Sequence, residues 1–220
     1  MKLNLITLLF SIVLIASCNS QKTISIDKKE LLENIKILSH DSLEGRGFSK
    51  PGNYKAQQFI AKKFAEIGLE TVNSSNFIEK FPYTFSGVRK KRMFPKDSTD
   101  KDTTVYGGNV IGKISGKTNK IIVVSGHLDH LGIRDGKIYN GADDDASGTA
   151  ALFSIASYFK ENKLNHTIII AAVDAEEIGS LGASYWLKNF SDKKFLRVRN
   201  DLHRKAEIEA FFCFNFLIGN

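Results

Sequence analysis

Three short stretches of this sequence concentrate residues that can bind a cation or move a proton. In VVSGHLDHLG, residues 123–132, an apolar run gives way at once to His127 and Asp129. A neutral imidazole placed there can face a metal through one nitrogen, while a carboxylate holds the other nitrogen and fixes the tautomer. In NGADDDASG, residues 140–148, three consecutive aspartates precede a helical pattern. One aspartate satisfies a helix N-terminus, but three repel one another unless something positive neutralises them, and a divalent cation does so. In VDAEEIGSLGA, residues 173–183, a second apolar run leads into Asp174, Glu176 and Glu177. One glutamate of such a pair can bind metal while its neighbour takes a proton from water. Each stretch alone also has a plain structural reading, as a turn pair, a helix cap or a solvated acidic turn. Together, each at a strand end or a helix start, they favour a cation-binding cleft.

The elements that must carry these stretches are legible from hydrophobic period. Asp27 and Glu30 have the spacing of a capping box, and Leu31, Leu32, Ile35 and Leu38 continue at helical intervals. After the loop SHDSLEGRGFSKPG, Pro51 opens a second helix whose apolar stripe is Ala56, Phe59, Ile60, Phe64 and Ile67, with Gly68 as its stop. Phe77 to Phe85 alternates as a strand, residues 86–107 read as a surface loop, and Asn109 to Ile114 reads as a strand. Ile121 to Val124 and Thr167 to Val173 are continuous apolar runs, as expected for strands buried on both faces. Ala146 to Glu161 and Gly182 to Phe190 read as helices. The alternation predicts an α/β fold with a mixed, mostly parallel sheet and helices on both faces. Sites in such sheets lie at the carboxyl ends of strands, where His127 and Glu176 fall.

The bulk properties exclude other classes. A chain of 220 residues, 42% hydrophobic and 25% charged, suits one soluble α/β domain. The net charge of +7 comes in good part from Arg89, Lys90, Lys91 and Arg92. That run lacks interleaved aromatics, so it reads as a solvated loop and no nucleic-acid partner is expected. At the N-terminus, Lys2 and the short apolar stretch Leu5 to Ala16 have the form of a secretory signal rather than a membrane span. Ile15-Ala16-Ser17-Cys18 resembles the lipobox of bacterial lipoproteins. Residues 1–17 are therefore expected to be a signal peptide, 18–24 a tether lipidated at Cys18, and 25–220 part of one enzymatic domain. The expected location is the bacterial cell envelope, outside the cytoplasm and held to a membrane by lipid. Lipidation of Cys18 leaves Cys213 as the remaining thiol, so neither an intrachain disulfide nor a CxxC zinc site is available.

From about Leu31 to Phe190 the chain resembles the zinc exopeptidase family that includes bacterial leucyl aminopeptidase and aminopeptidase Y, with glutaminyl cyclase a relative. SHDSLEGRG, HLDHLG, GADDDASG and AEEIGSLGA carry the resemblance, and the last three occur in the family's order. The resemblance implies two zinc ions sharing a bridging carboxylate. It places His127 as a ligand of one zinc with Asp129 behind it, Asp144 as the bridge, Glu177 as a ligand of the other zinc and Glu176 as general base. The implied reaction is hydrolysis of N-terminal residues from a peptide substrate by water activated between two metals. Ser42, Glu44 and Arg46 match the family's N-terminal segment without an assigned chemistry. His40 and His130 are read as structural or solvent-facing.

One departure shapes a second expectation. Asn215-Phe216-Leu217-Ile218-Gly219 is similar to a family strand that carries an aspartate ligand, but the aspartate is absent, and the family's last histidine ligand has no counterpart. The domain is accordingly expected to be incomplete at its C-terminus, with two protein ligands per zinc where a catalytic zinc takes three. The alternative to an active aminopeptidase is a catalytically inactive, membrane-anchored fragment or a peptide-binding lipoprotein. The sequence gives no reading of the oligomeric state.

Overall fold

In the computed structural model the described residues are 26–73, 75–89, 101–118 and 120–190, together with the backbone of a strand at 208–213. The signal, the whole tether with Cys18, and Asn215 to Gly219 lie outside them. Helix α1 (Lys28–Leu38) starts where Asp27 accepts hydrogen bonds from the Lys29 and Glu30 amides. A 3-10 turn (Asp41–Arg46) leads to helix α2 (Pro51–Ile67). Pro51 stands in the first turn, and Gly68 ends the helix at φ 79°, a left-handed conformation that glycine adopts without steric cost. Strands β1 (Ile78–Phe85), β2 (Thr103–Ile114) and β3 (Ile121–His127) follow. A small hairpin of β4 (Gly132–Arg134) and β5 (Lys137–Tyr139) precedes helix α3 (Ser147–Glu161), strand β6 (Thr167–Val173), helix α4 (Leu181–Asn189) and strand β7 (Ile208–Cys213).

The large sheet has the order β1-β2-β6-β3-β7. β3 runs parallel to both β6 and β7, β2 runs antiparallel to β6, and β1 runs antiparallel to β2. Four of the five strands therefore point the same way and β2 opposes them, so the sheet is mixed and mostly parallel. Side chains on β6 alternate between two cores. Ile168, Ile170 and Ala172 pack with Leu38 of α1, Ile60 and Phe64 of α2, and Leu152 and Phe153 of α3. Ile169, Ala171 and Val173 pack with Trp186 of α4 and with Phe190. Helices thus cover both faces, and the continuous apolar runs of β3 and β6 have the physical cause expected of them.

Three boundaries differ from the sequence reading. The surface loop assigned to residues 86–107 ends earlier, because β2 begins at Thr103 and pairs along its length with β1. Gly107, the last residue of that expected loop, and Gly108 lie in the strand: a Cβ would sit 2.4 Å from the Phe81 ring at Gly107 and 2.4 Å from Gln57 Oε1 at Gly108. Small residues are needed there by neighbours far away in sequence. β3 extends to His127 rather than stopping at Val124, since its register with β6 continues to Val173. The β4–β5 hairpin was not expected; its tip, Asp135-Gly136, has positive φ at both residues, as a two-residue hairpin turn requires. Among the described residues, no helix is long and apolar enough to cross a membrane.

Candidate metal centre

β3 and β6 are neighbouring parallel strands, so their carboxyl ends deliver the first and third motifs to the same rim of the sheet. His127, the last residue of β3, is 3% exposed. Its Nδ1 lies 3.1 Å from the Asp129 carbonyl and its Nε2 lies 3.0 Å from Asp144 Oδ1. With Nδ1 donating to that carbonyl, the Nε2 lone pair is turned toward Asp144 and available to a cation. In the metal-free protein, burial lowers the His127 pKa, but Asp129, Asp145 and Asp144 outweigh it and raise the imidazole to about 9.

The triple aspartate divides its labour. Asp145 is buried, accepting from the His127 amide at 3.0 Å and from the Gly148 amide at 2.9 Å in the first turn of α3. It ties the end of β3 to the start of α3, and burial raises its carboxyl to about 6. Asp144 is 62% exposed and turns toward the imidazoles, with Oδ1 3.0 Å from His127 and Oδ2 3.8 Å from His130 Nδ1. Asp143 faces solvent. The helix-capping and cation-binding readings of the triplet are thus both realised, on different residues.

Asp129 joins the first motif to the third. Fully buried, it accepts from the Glu176 amide at 3.0 Å through Oδ1 and from the Glu177 amide at 3.3 Å through Oδ2. One carboxylate thereby fixes the backbone of both glutamates beside the His127 loop. Ala175, at φ 59°, turns the chain sharply out of β6 so that those amides face Asp129. Glu176 is half-buried, with Oε1 3.5 Å from Ser180 Oγ.

His130, read from the sequence as structural or solvent-facing, is drawn into the rim. It is neither solvent-facing nor remote: its Nδ1 lies 2.6 Å from Glu177 Oε1, and its side chain is 10% exposed. His130, Asp144 and Glu177 each offer a ligand atom, and all three atoms lie within 4.8 Å of one another. His130 Nδ1 and Glu177 Oε1 are buried without an aligned hydrogen-bond partner despite their closeness. Two buried polar atoms facing each other in poor hydrogen-bonding alignment fit a missing cation, and imidazole nitrogen with carboxylate oxygen is a zinc donor set. The short His130 contact holds the Glu177 carboxyl below its usual range, against the effect of burial. The signal for His130 was present in HLDHLG, one position after Asp129; only the fold shows that the turn returns it to Glu177.

Of the residues expected at the site, His127, Asp129, Asp144, Glu176 and Glu177 all converge on this rim, while Cys18 is outside the described residues. Ser42 and His40 stay apart from it, bonded to each other at 2.9 Å. Arg89, from the basic run, is exposed yet held: it donates to the Ile178 carbonyl at 2.8 Å and its guanidinium lies 5.5 Å from the Tyr83 ring centre.

Comparison with known proteins agrees with this geometry. Residues 109–215 match the model of peptidase family M28, a span that includes all three motifs. The chain is 31% identical to a vacuolar membrane protease of Schizosaccharomyces pombe over 156 residues, covering 69% of this chain and 16% of that protein. It is 38% identical to a probable zinc metalloprotease of Pyrenophora teres f. teres over 152 residues, covering 65% of this chain and 29% of that protein. The chain therefore spans less than a third of either relative's length. A zinc aminopeptidase from Bacillus subtilis has a similar fold, with a TM-score of 0.57 at 14% identity, covering 77% of this chain and 66% of that one. The motifs, their convergence at one rim of a mixed sheet and these likenesses lead to one assignment: residues 109–215 are similar to the domain of peptidase family M28, in a fold shared with a zinc aminopeptidase.

Proposed function

We propose that this protein is a zinc-dependent aminopeptidase, hydrolysing residues from the free N-terminus of peptides. The observation that carries it is the placement of Asp144 between two imidazoles, one carboxylate oxygen toward His127 and the other toward His130, with Glu177 alongside. A carboxylate presenting one oxygen to each side suits a bridge between two cations. His127 and Asp144 would hold one zinc; Asp144, Glu177 and His130 would hold the other. When bound, zinc supplies Lewis acidity that polarises the scissile carbonyl and lowers the pKa of the attacking water.

The protein's own residues supply the rest. Glu176, held by its amide on Asp129, takes the proton from the attacking water and hands it to the leaving amine. Asp129 keeps His127 and both glutamates in register, and Asp145 fixes the strand end from the other side. Glu176→Gln should lower kcat by about 10²–10⁴-fold, the usual worth of a general base. Bound zinc should stay unchanged, and peptides with an acetylated N-terminus should be spared by the unaltered protein. Turnover in Glu176→Gln equal to that of the wild type would sink the mechanism. Zinc binding without any turnover in the wild type would favour a peptide-binding role instead.

The location belongs to the same proposal: Cys18 carries the lipid and the domain works outside the cytoplasm. Cys18→Ala should shift the protein from the membrane fraction to the soluble fraction. An unchanged distribution would remove the anchor.

A further inference from the structure

Arg46 is the largest of the fully buried side chains, 1% exposed, and none of the chemistry above uses it. Its guanidinium makes four hydrogen bonds, all to backbone carbonyls. Nε donates to Leu128 at 2.8 Å, Nη1 to Asn140 at 2.7 Å and also to Leu38, and Nη2 to Gly141 at 2.9 Å. Leu128 lies between His127 and Asp129, and Asn140 and Gly141 begin the loop that ends in Asp144. The Arg46 carbonyl in turn accepts from the His130 amide at 3.3 Å and from Asn53 Nδ2 at 3.2 Å. One residue therefore grips both loops that carry the candidate ligands, with its side chain on one turn and its backbone on His130.

We propose that Arg46 is the positioning residue of the metal centre, setting the spacing between the 127–130 loop and the 140–145 loop so that Asp144 stands between His127 and His130. The inference rests on the metal-site reading above. The planar fork is what the task needs: lysine has charge but no fixed pair of donor directions. The charge matters as well. No carboxylate takes a hydrogen bond from the guanidinium, yet Asp129, Asp145, Asp144 and Glu177 all lie close enough to act on it. Burial lowers its pKa to about 10 against their pull, so it stays cationic at neutral pH and offsets the mutual repulsion of those carboxylates.

The test is the zinc dissociation constant of the full-length protein, measured by competition with a chromophoric chelator, beside a thermal melt and the absorption spectrum of the cobalt-loaded form. Arg46→Lys should weaken zinc binding at least about tenfold, the range seen when groups supporting metal ligands are removed. Its cobalt spectrum should change as well. Ile60→Val, which opens a small void in the core beneath α2, should lower the melting temperature and leave zinc affinity alone. Folded Arg46→Lys that binds zinc within threefold of the wild type, with the same cobalt spectrum, overturns the positioning role while leaving the metal site standing. A wild-type protein that takes up no zinc overturns both. Should Arg46→Lys fail to fold, Arg46→Gly decides, because the backbone there has φ 50°, which glycine accepts. Added guanidinium that restores zinc affinity supports the proposal, and guanidinium that restores folding alone overturns it.

Discussion

Two acidic centres stand close together, one sealed in the core and one at the rim, and they are built on opposite plans. Asp174 is completely buried and surrounded by donors: the Gly108 amide at 2.9 Å, the Ala175 amide at 2.8 Å, Asn53 Nδ2 at 2.9 Å and Gln57 Nε2 at 3.3 Å. It stitches α2 to β2 and β6, and it asks for nothing further. Asp144 and Glu177 face imidazoles and each other, with a buried glutamate oxygen left unaligned. A carboxylate saturated by N–H groups is architecture. Carboxylates converging on one another with lone pairs to spare are a place for a cation.

Exchanging the two plans would break the comparison, and the largest effect should come first. Asp144→Asn removes the shared ligand and should weaken zinc binding by more than about 100-fold, since groups merely supporting a ligand cost 10–100-fold. The metal-free protein should melt no lower, because like charges have been relieved. Asp174→Ala should do the reverse. Several buried donors lose their acceptor, costing at least about 2 kcal/mol of stability, while zinc affinity of the folded protein stays within threefold. If Asp174→Ala abolished zinc binding in a folded sample, the division between the two centres would fail. Calorimetry and chelator competition on both variants check this together.

The smallest effect is one of pH. His127 in the metal-free protein is raised by its aspartate neighbours from the ordinary imidazole value of 6.5 to about 9, so its stabilisation is present below about 6.5 and is lost as pH rises toward 9. Zinc must displace that same proton, so its affinity should climb over the same window. Melting temperatures from pH 6.5 to 9 should therefore fall for the metal-free protein and rise for the zinc-loaded one at limiting metal. Parallel curves would mean that His127 is not a ligand.

Much of this contrast was legible before any fold. His127, Asp144 and Glu177 announce themselves because strand-end imidazoles and clustered carboxylates are costly without a partner, and the apolar runs of β3 and β6 locate them on one rim. Asp174 was visible as a letter but not as a role, since its donors come from residues as far off as Asn53 and Gly108. The parts played by His130 and Arg46 were hidden for the same reason. A histidine three residues after His127 and an arginine between two glycines carry no periodic signal; their partners are supplied by topology. Gly107 closed the expected surface loop, yet it lies in β2, where the Phe81 and Phe48 rings need the room.

The bonds of Arg46 reach across 82, 94 and 95 residues of chain. Contacts so distant along the backbone cannot guide the early search of a folding chain, because closing loops of that length costs entropy before anything rewards it. The core shares such long closures, since Leu38 packs with Ile168 and β3 pairs with β7, so the rim that gathers the imidazoles and carboxylates can close only as those elements come together. A nascent chain is thus spared a formed cation trap while its core is still open, and metal capture becomes a report that folding is finished.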